Sequence, residues 1–335
     1  MHNSSVPITT IRDLTIELQP DGKNPVNQWL GTSIRGWLLG ALKGIEQDRS
    51  GNLEDLPLVE DGLCRRYFDF ESAADAICQS CATRMNCSYG CTFAGQLMAP
   101  NNRVRHQQAS FRPASFLSPM IEGVDPSGGP VEISVGIQLL GALATQYAPT
   151  ILDRLMDLDS GRVGPHRAKL WTAAAYCKHE TICLDQLPPD DQNDLVVRRV
   201  AVVTESPIFV KSKYVERLNG DQVFRFLIAR CLGLIESLMG ESEHANVMFP
   251  ELLSLAASVR CVQRNVTPYR QLNTSSRGRG PGKSRRLQRR GWTGHWIFAD
   301  VPSCLIPWLR LGGQLGIGEH RSAGAGRWNS VVRYG

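Results

Sequence analysis

Apolar residues recur along this chain with two periods, and each change of period marks a change of element. Within residues 8–18, Leu14, Ile16 and Leu18 alternate with polar neighbours, as in a half-buried strand, and Pro20, Asp21 and Gly22 end it. The period then becomes helical: Ile34, Trp37, Leu38, Leu42 and Ile45 fall on one face, with Thr32 or Ser33 placed to cap the start. Residues 101–130, rich in Pro, Ser and Gly, read as extended or loop chain. Val131, Ile133, Val135 and Ile137 then alternate as a strand, and Leu140, Ala144, Tyr147, Ala148, Ile151 and Leu155 space as a helix. Residues 160–166 read as a turn. Trp171, Ala173, Ala175 and Cys177 alternate as a further strand, although Ala173–Ala175 suits a helix as well.

This order fits a βαββαβ ferredoxin-like sandwich with a cysteine-bearing insertion at about residues 50–130. Residues 185–194, DQLPPDDQND, are proline-rich and acidic and read as a linker between a domain of residues 1–184 and one of residues 195–335. The second half predicts strands at 196–203 and 208–210 and an amphipathic helix through Val223, Phe226, Leu227, Cys231, Leu234 and Leu238. It continues with a helix over 250–257, strands at 258–265 and 292–299, a short helix at 302–311 and a closing strand at 327–332. The expected fold class is therefore α+β, two tandem ferredoxin-like (RRM-like) domains, and the tandem relation rests on element order alone.

Composition narrows the function. At 335 residues and 42% hydrophobic content the chain can bury sizeable cores. It has no apolar run of the ~20 residues a membrane span needs, and residues 1–21 lack a signal-peptide core, so a soluble, cytoplasmic protein with no membrane partner is expected. In such a reducing compartment, the ten cysteines are read as metal ligands before disulfides. Five cluster as Cys64, Cys78, Cys81, Cys87 and Cys91. Cys78 and Cys81 offer two thiolates from one turn, and Cys87 with Cys64 or Cys91 completes a tetrahedral, structural zinc site. An iron–sulfur cluster and buried free thiols are the alternatives.

Charge is distributed unevenly. Arg260, Arg264, Arg270, Arg277, Arg279, Lys283, Arg285, Arg286, Arg289 and Arg290 lie in a stretch with no Asp or Glu, in a chain whose net charge is only +5. Residues 1–259 carry 23 basic against 30 acidic groups. A positive field concentrated in this way is a nucleic-acid footprint, because phosphate neutralisation releases counterions; its bland alternative is a solvated basic loop. Residues 311–328, LGGQLGIGEHRSAGAGRW, follow with six glycines, Gly316, Gly318, Gly324 and Gly326 among them, around Glu319, His320, Arg321 and Arg327. Such a loop lets backbone approach a phosphodiester closely, although Gly-rich patterns also simply close tight turns. Arg35 projects from the first turn of the first helix, off its apolar stripe.

Taken together, SIRGWLLGAL at 33–42, CSYGCTF at 87–93, RQLNTSSRGRG at 270–280, GWTGHWIFADV at 291–301 and GQLGIGEHRSAGAGRW at 313–328 resemble the CRISPR precursor-RNA processing endoribonucleases, the sixth Cas family of the RAMP superfamily. The resemblance implies two ferredoxin-like domains and cleavage of CRISPR repeat RNA without a catalytic metal, by attack of a ribose 2′-OH on the adjacent phosphate. It also implies a protein that stays bound to the crRNA beside other CRISPR effector subunits. Many members place a general-base histidine at or just before the first helix, whereas residues 24–42 contain none. Arg35 and Lys23 are the nearest polar candidates there, and an arginine serves to orient a phosphate and stabilise charge, not as a base. A type IV branch is similar in relying on arginines. His320 is the main rival as a catalytic group, followed by His106. A non-catalytic RNA-binding RAMP subunit and a zinc-dependent DNA-binding regulator are the competing readings.

Overall fold

The computed structural model describes residues 5–22, 26, 29–42, 92–93, 113–121, 129–183, 196–209, 220–239, 243–274, 286–317 and 324–333. The chain forms two compact units. The first comprises Met1–Asp185 with Ile235–Glu241 and Ser322–Gly324, and the second Gln186–Leu234, Ser242–Arg321 and Ala325–Gly335. Among the described residues no helix is long and apolar enough to cross a membrane.

The first unit is built around β1 (Ser5–Gln19). After it come α1 (Gly31–Leu42), β2 (Ala114–Leu117), β3 (Val131–Leu140), α2 (Ala142–Thr145), α3 (Ala148–Met156), β4 (Ser160–Val163), β5 (His166–Trp171) and β6 (Tyr176–Cys183). One edge of β1 pairs antiparallel with β3, and β2 lies beyond β3. Its other edge is shared: residues 5–12 pair with β6 and residues 15–19 with β5. With β6 as the last strand, the order β6-β1-β3-β2 is the fourth-first-third-second arrangement of a ferredoxin-like βαββαβ unit, to which β4 and β5 add a hairpin.

The division of β1 has a local cause. Its register with β3 shifts between Ile11 and Leu14, and Asp13 there sits at φ 57°, a left-handed conformation that Asp tolerates better than most residues. The bulge explains why the buried apolar positions run 6, 8, 11, 14, 16, 18 instead of alternating strictly.

On the inner face of this sheet, Ile11, Leu14, Ile16, Ile133, Val135 and Ile137 pack with Ile34 and Leu38 of α1 and Ile151 and Leu155 of α3. The helical stripe expected for α1 is buried at Ile34, Leu38 and Leu42, with Trp37 half-buried; Ile45 lies outside the described residues. The helix starts at Gly31, its first amides (Ser33 and Ile34) donating to the Leu30 carbonyl at 2.9 Å, so Thr32 and Ser33 occupy the first turn rather than the cap.

Several boundaries differ from the pattern-based expectation. The 101–130 stretch contains β2, and Leu140 ends β3 instead of opening a helix. Residues 160–166 are most of a hairpin, not a lone turn, because Ser160–Val163 pairs with His166–Lys169 around Gly164 and Pro165. The alternation through 171–177 spans the end of β5, a turn in which the Ala175 amide donates to the Thr172 carbonyl at 2.8 Å, and the start of β6.

The second unit contains β7 (Val196–Thr204), β8 (Ile208–Phe209), α4 (Gly220–Met239), α5 (Glu243–Ser258), β9 (Arg260–Thr274), β10 (Arg286–Pro302), a 3-10 turn at Ser303–Leu305, α6 (Ile306–Leu315) and β11 (Trp328–Arg333). β10 pairs with β9 on one edge and with β7 on the other, where β8 continues at Gly291 and Trp292; β11 closes the far side of β7. The order β11-β7-β10-β9 is again fourth-first-third-second. The protein is thus α+β with two antiparallel sheets in tandem ferredoxin-like units. The second core is more aromatic: Phe224 meets Phe298 edge-on at 4.9 Å, Phe249 meets Trp308 at 5.9 Å, and Trp296 is fully buried.

Candidate nucleic-acid interface

Where the sequence suggests a basic loop between two short strands, the structure has a long two-stranded arm. β9 and β10 pair continuously from Arg260 opposite Ala299 to Thr274 opposite Arg286, with one register shift between Ile297 and Phe298. The strands therefore run into the basic stretch. Arg264 and Arg270 lie on β9 and Arg286, Arg289 and Arg290 on β10, with Arg290 directly opposite Arg270. Arg277, Arg279, Lys283 and Arg285 lie outside the described residues.

β9 is an edge strand, and Val262, Gln263, Arg264 and Asn265 are all exposed. Four consecutive exposed residues mean that both faces of the strand are open here, since side chains alternate from one face to the other. Arg260 is already matched: its guanidinium lies 3.0 Å from the Asp300 carboxylate in an exposed pair of the kind worth little to stability.

The glycine-rich stretch is divided among several structural tasks. Gly312 and Gly313 lie inside α6, where a Cβ on Gly313 would collide with the Trp328 carbonyl, so their lack of a side chain lets the helix lie directly on β11. Gly316 caps α6, its amide donating to the Gly312 carbonyl at 2.9 Å. Gly326 sits at φ 76° and is held on both sides: the Ile317 amide donates to its carbonyl and its own amide donates to the Pro207 carbonyl, each at 2.9 Å. Gly324, at φ 87°, lies against the Phe116 carbonyl and the Ser118 amide of the first unit. At these buried positions the close approach that glycine allows is to the protein's own backbone. Gly318, His320 and Arg321 lie outside the described residues.

Arg327 is likewise tied down. Its amide donates to Ser206 Oγ at 2.9 Å, its carbonyl accepts the Glu205 amide at 3.0 Å, and its guanidinium donates to the Gln314 carbonyl and lies 3.6 Å from the Glu205 carboxylate. With 18% of the side chain exposed, Arg327 fastens β11 to the β7–β8 corner.

In the first unit, the start of α1 is enclosed by the β4–β5 hairpin. Gly164 lies against Ser33, and Gly161 lies so close to the Trp37 indole that no side chain would fit. Arg35 is half-buried in this first turn and has interaction partners of its own. Lys23 lies outside the described residues.

Sequence reasoning missed His166, which is 1% exposed. Its Nδ1 lies 4.0 Å from Asp21 Oδ1, beyond hydrogen-bond reach, and has no hydrogen-bond partner among the described residues. Burial pulls its pKa below the ordinary 6.5, opposed by Asp21 and reinforced by Arg162. The available signal was the alternation His166, Ala168, Leu170, which puts the imidazole in the inward phase of a strand. His179 hydrogen-bonds Thr9 Oγ1 at 2.9 Å.

The five candidate zinc ligands, Cys64, Cys78, Cys81, Cys87 and Cys91, all lie outside the described residues. Of the free cysteines described, Cys231 of α4 is fully buried against Gly312 of α6, and burial pushes its thiol up to about 12.

No family model matches the sequence, and no curated protein does. Solved structures do resemble it in fold. One is a Cas6 product complex, at 12% identity and TM-score 0.46, covering 97% of this chain and all of that one. A RAMP protein binding different RNA substrates shares 11% identity at TM-score 0.44, covering 97% of this chain and 99% of that one. A Cas6-related protein from Pyrococcus furiosus shares 11% identity at TM-score 0.42, covering 97% and 98%.

Proposed function

We propose that this chain is a CRISPR-type endoribonuclease that binds repeat RNA along the β9–β10 arm and cuts the precursor to mature crRNA. The observation that carries the reading is the arm itself. An exposed edge strand and its partner bring at least five arginines onto one ladder, within a stretch free of acidic residues. Such a surface favours a polyanion through counterion release. The quoted sequence stretches narrow the polyanion to a CRISPR repeat and the partners to other CRISPR effector subunits.

In the proposed reaction the 2′-oxygen forms a bond to the neighbouring phosphorus and the P–O5′ bond breaks. The 2′-hydroxyl proton leaves and the departing 5′-oxygen takes one up, giving a 2′,3′-cyclic phosphate and a 5′-hydroxyl. Arg35 is assigned to the scissile phosphate, where a fixed cation stabilises charge that develops in the transition state. Lys23 and His320 are the further candidates for this site.

A second reading, an RNA-binding RAMP subunit without cleavage, is favoured by the burial of His166 and the tethering of Arg327. Incubating the purified chain with a labelled repeat transcript separates the two: cleavage supports the first, and stable binding of uncut RNA supports the second.

A further inference from the structure

We propose that the outer face of the β4–β5 hairpin is a second RNA contact, on which Trp171 stacks one base of a single-stranded segment while Arg162, Arg167 and Lys169 take the flanking phosphates. The proposal rests on the RNA-binding reading above and adds a site on the first unit that the basic arm does not include. The strand period separates the two faces of β5. His166, Ala168 and Leu170 are buried, while Arg167 and Trp171 are exposed and Lys169 half-buried on the opposite face. From β4, exposed Arg162 stands directly opposite Arg167 in the register.

Three observations point to a nucleic-acid strand as the occupant. Trp171 is 46% exposed on the face of β5 opposite the buried His166, Ala168 and Leu170. It is nonetheless held in place: its Nε1 donates to Glu17 Oε2 at 3.2 Å, and the Lys169 ammonium sits 4.0 Å from the ring centroid. A ring positioned in advance loses little freedom when a base stacks on it. The third observation is the Arg162–Arg167 pairing, two cations opposite one another at the end of the hairpin, where the Arg162 guanidinium is held by donating to the Pro165 carbonyl and a phosphate would relieve the like charges. Arg167, Lys169 and Trp171 recur every second residue, about 7 Å apart along the strand, so cations and ring lie in a row that an extended chain of nucleotides can follow. Glu17 and Glu132, opposite one another on β1 and β3, bound the row on one side and confine the anion to the hairpin.

The test is the affinity of the full chain for a short labelled oligouridylate. Trp171→Ala should weaken binding between about 5-fold and 150-fold, the range for losing one stacked base, while Trp171→Phe should keep most of it. Arg162→Gln with Arg167→Gln should lower the salt slope by about 1.4, or 0.7 for each phosphate contact on a single strand. If Trp171→Ala binds like wild type while Arg286→Gln, Arg289→Gln and Arg290→Gln together abolish binding, the platform is wrong and the RNA reading stands. Failure of the wild-type chain to bind any RNA removes both. A preference for oligodeoxythymidylate that Trp171→Ala abolishes would overturn the assignment to RNA.

Discussion

Replacing Gly326 by alanine distinguishes a glycine that shapes the protein from one that contacts RNA. The residue sits at φ 76°, and a Cβ there would lie inside the van der Waals envelope of the Ile317 carbonyl. Holding alanine in the left-handed region costs about 1–2 kcal/mol. The clash also displaces the bridge in which the Ile317 amide donates to Gly326 and the Gly326 amide donates to Pro207, both at 2.9 Å. Losing these two bonds adds about 1 kcal/mol each. The expected destabilisation is therefore about 3–4 kcal/mol, a fall in melting temperature on the order of 10 °C. Thermal unfolding followed by near-UV circular dichroism measures it, with RNA affinity determined well below the transition on the fraction still folded. If Gly326→Ala melts with wild type but has lost RNA binding, the glycine is a ligand contact and the structural assignment fails.

Three other outcomes are expected. Neutralising Arg285, Arg286, Arg289 and Arg290 together should flatten the slope of log affinity against log salt by roughly 2–3, at about 0.7 per phosphate contact; an unchanged slope would make the arm a bystander. Metal analysis of the purified chain should find about one zinc per molecule, and Cys78→Ser should lower its thermal stability, as expected when metal binding is coupled to folding; stable, metal-free protein would remove the site. His166 affects stability in acid: because burial lowers its folded-state pKa below 6.5, the unfolded chain takes up the proton first, so its stabilising contribution is full above 6.5 and is lost as pH falls through the folded value. His166→Gln should accordingly flatten the loss of denaturant midpoint between about pH 7 and pH 5, and an identical decline in both proteins would contradict this.

What the sequence reveals of the fold follows from what burial imprints on it. The α1 stripe of Ile34, Leu38 and Leu42 and the alternation of Ile133, Val135 and Ile137 are legible because each has one face against the same core. The β4–β5 hairpin is hidden, since seven residues containing Gly161, Gly164 and Pro165 look like a turn whether or not short strands flank it. The first part of β9 has no apolar period to find. Residues 262–265 are exposed on both faces, and their pairing is set by the backbone ladder with β10.

The site is legible to the same degree. Charge locates the arm, because electrostatic concentration needs no fold to be visible. Glycine content marks a place of close approach, but only coordinates show that Gly313, Gly324 and Gly326 are approached by the chain's own backbone. Arg327 looks like a phosphate ligand in a list of cations, and Glu205 and Ser206, more than a hundred residues earlier, show what else holds it.

The central claim, cleavage of repeat RNA by 2′-hydroxyl attack assisted by Arg35, meets its most direct test in one experiment. An end-labelled CRISPR repeat transcript is incubated with the wild-type chain and with Arg35→Ala without added divalent metal, and the product ends are identified by mass. The account predicts an upstream fragment ending in a 2′,3′-cyclic phosphate and a downstream fragment with a 5′-hydroxyl. Arg35→Ala should bind equally well and cut at least ~10²-fold more slowly, the scale of losing one charge-stabilising group. Repeat RNA bound tightly but left intact by the wild-type chain, or cut at the same rate by Arg35→Ala, would contradict it.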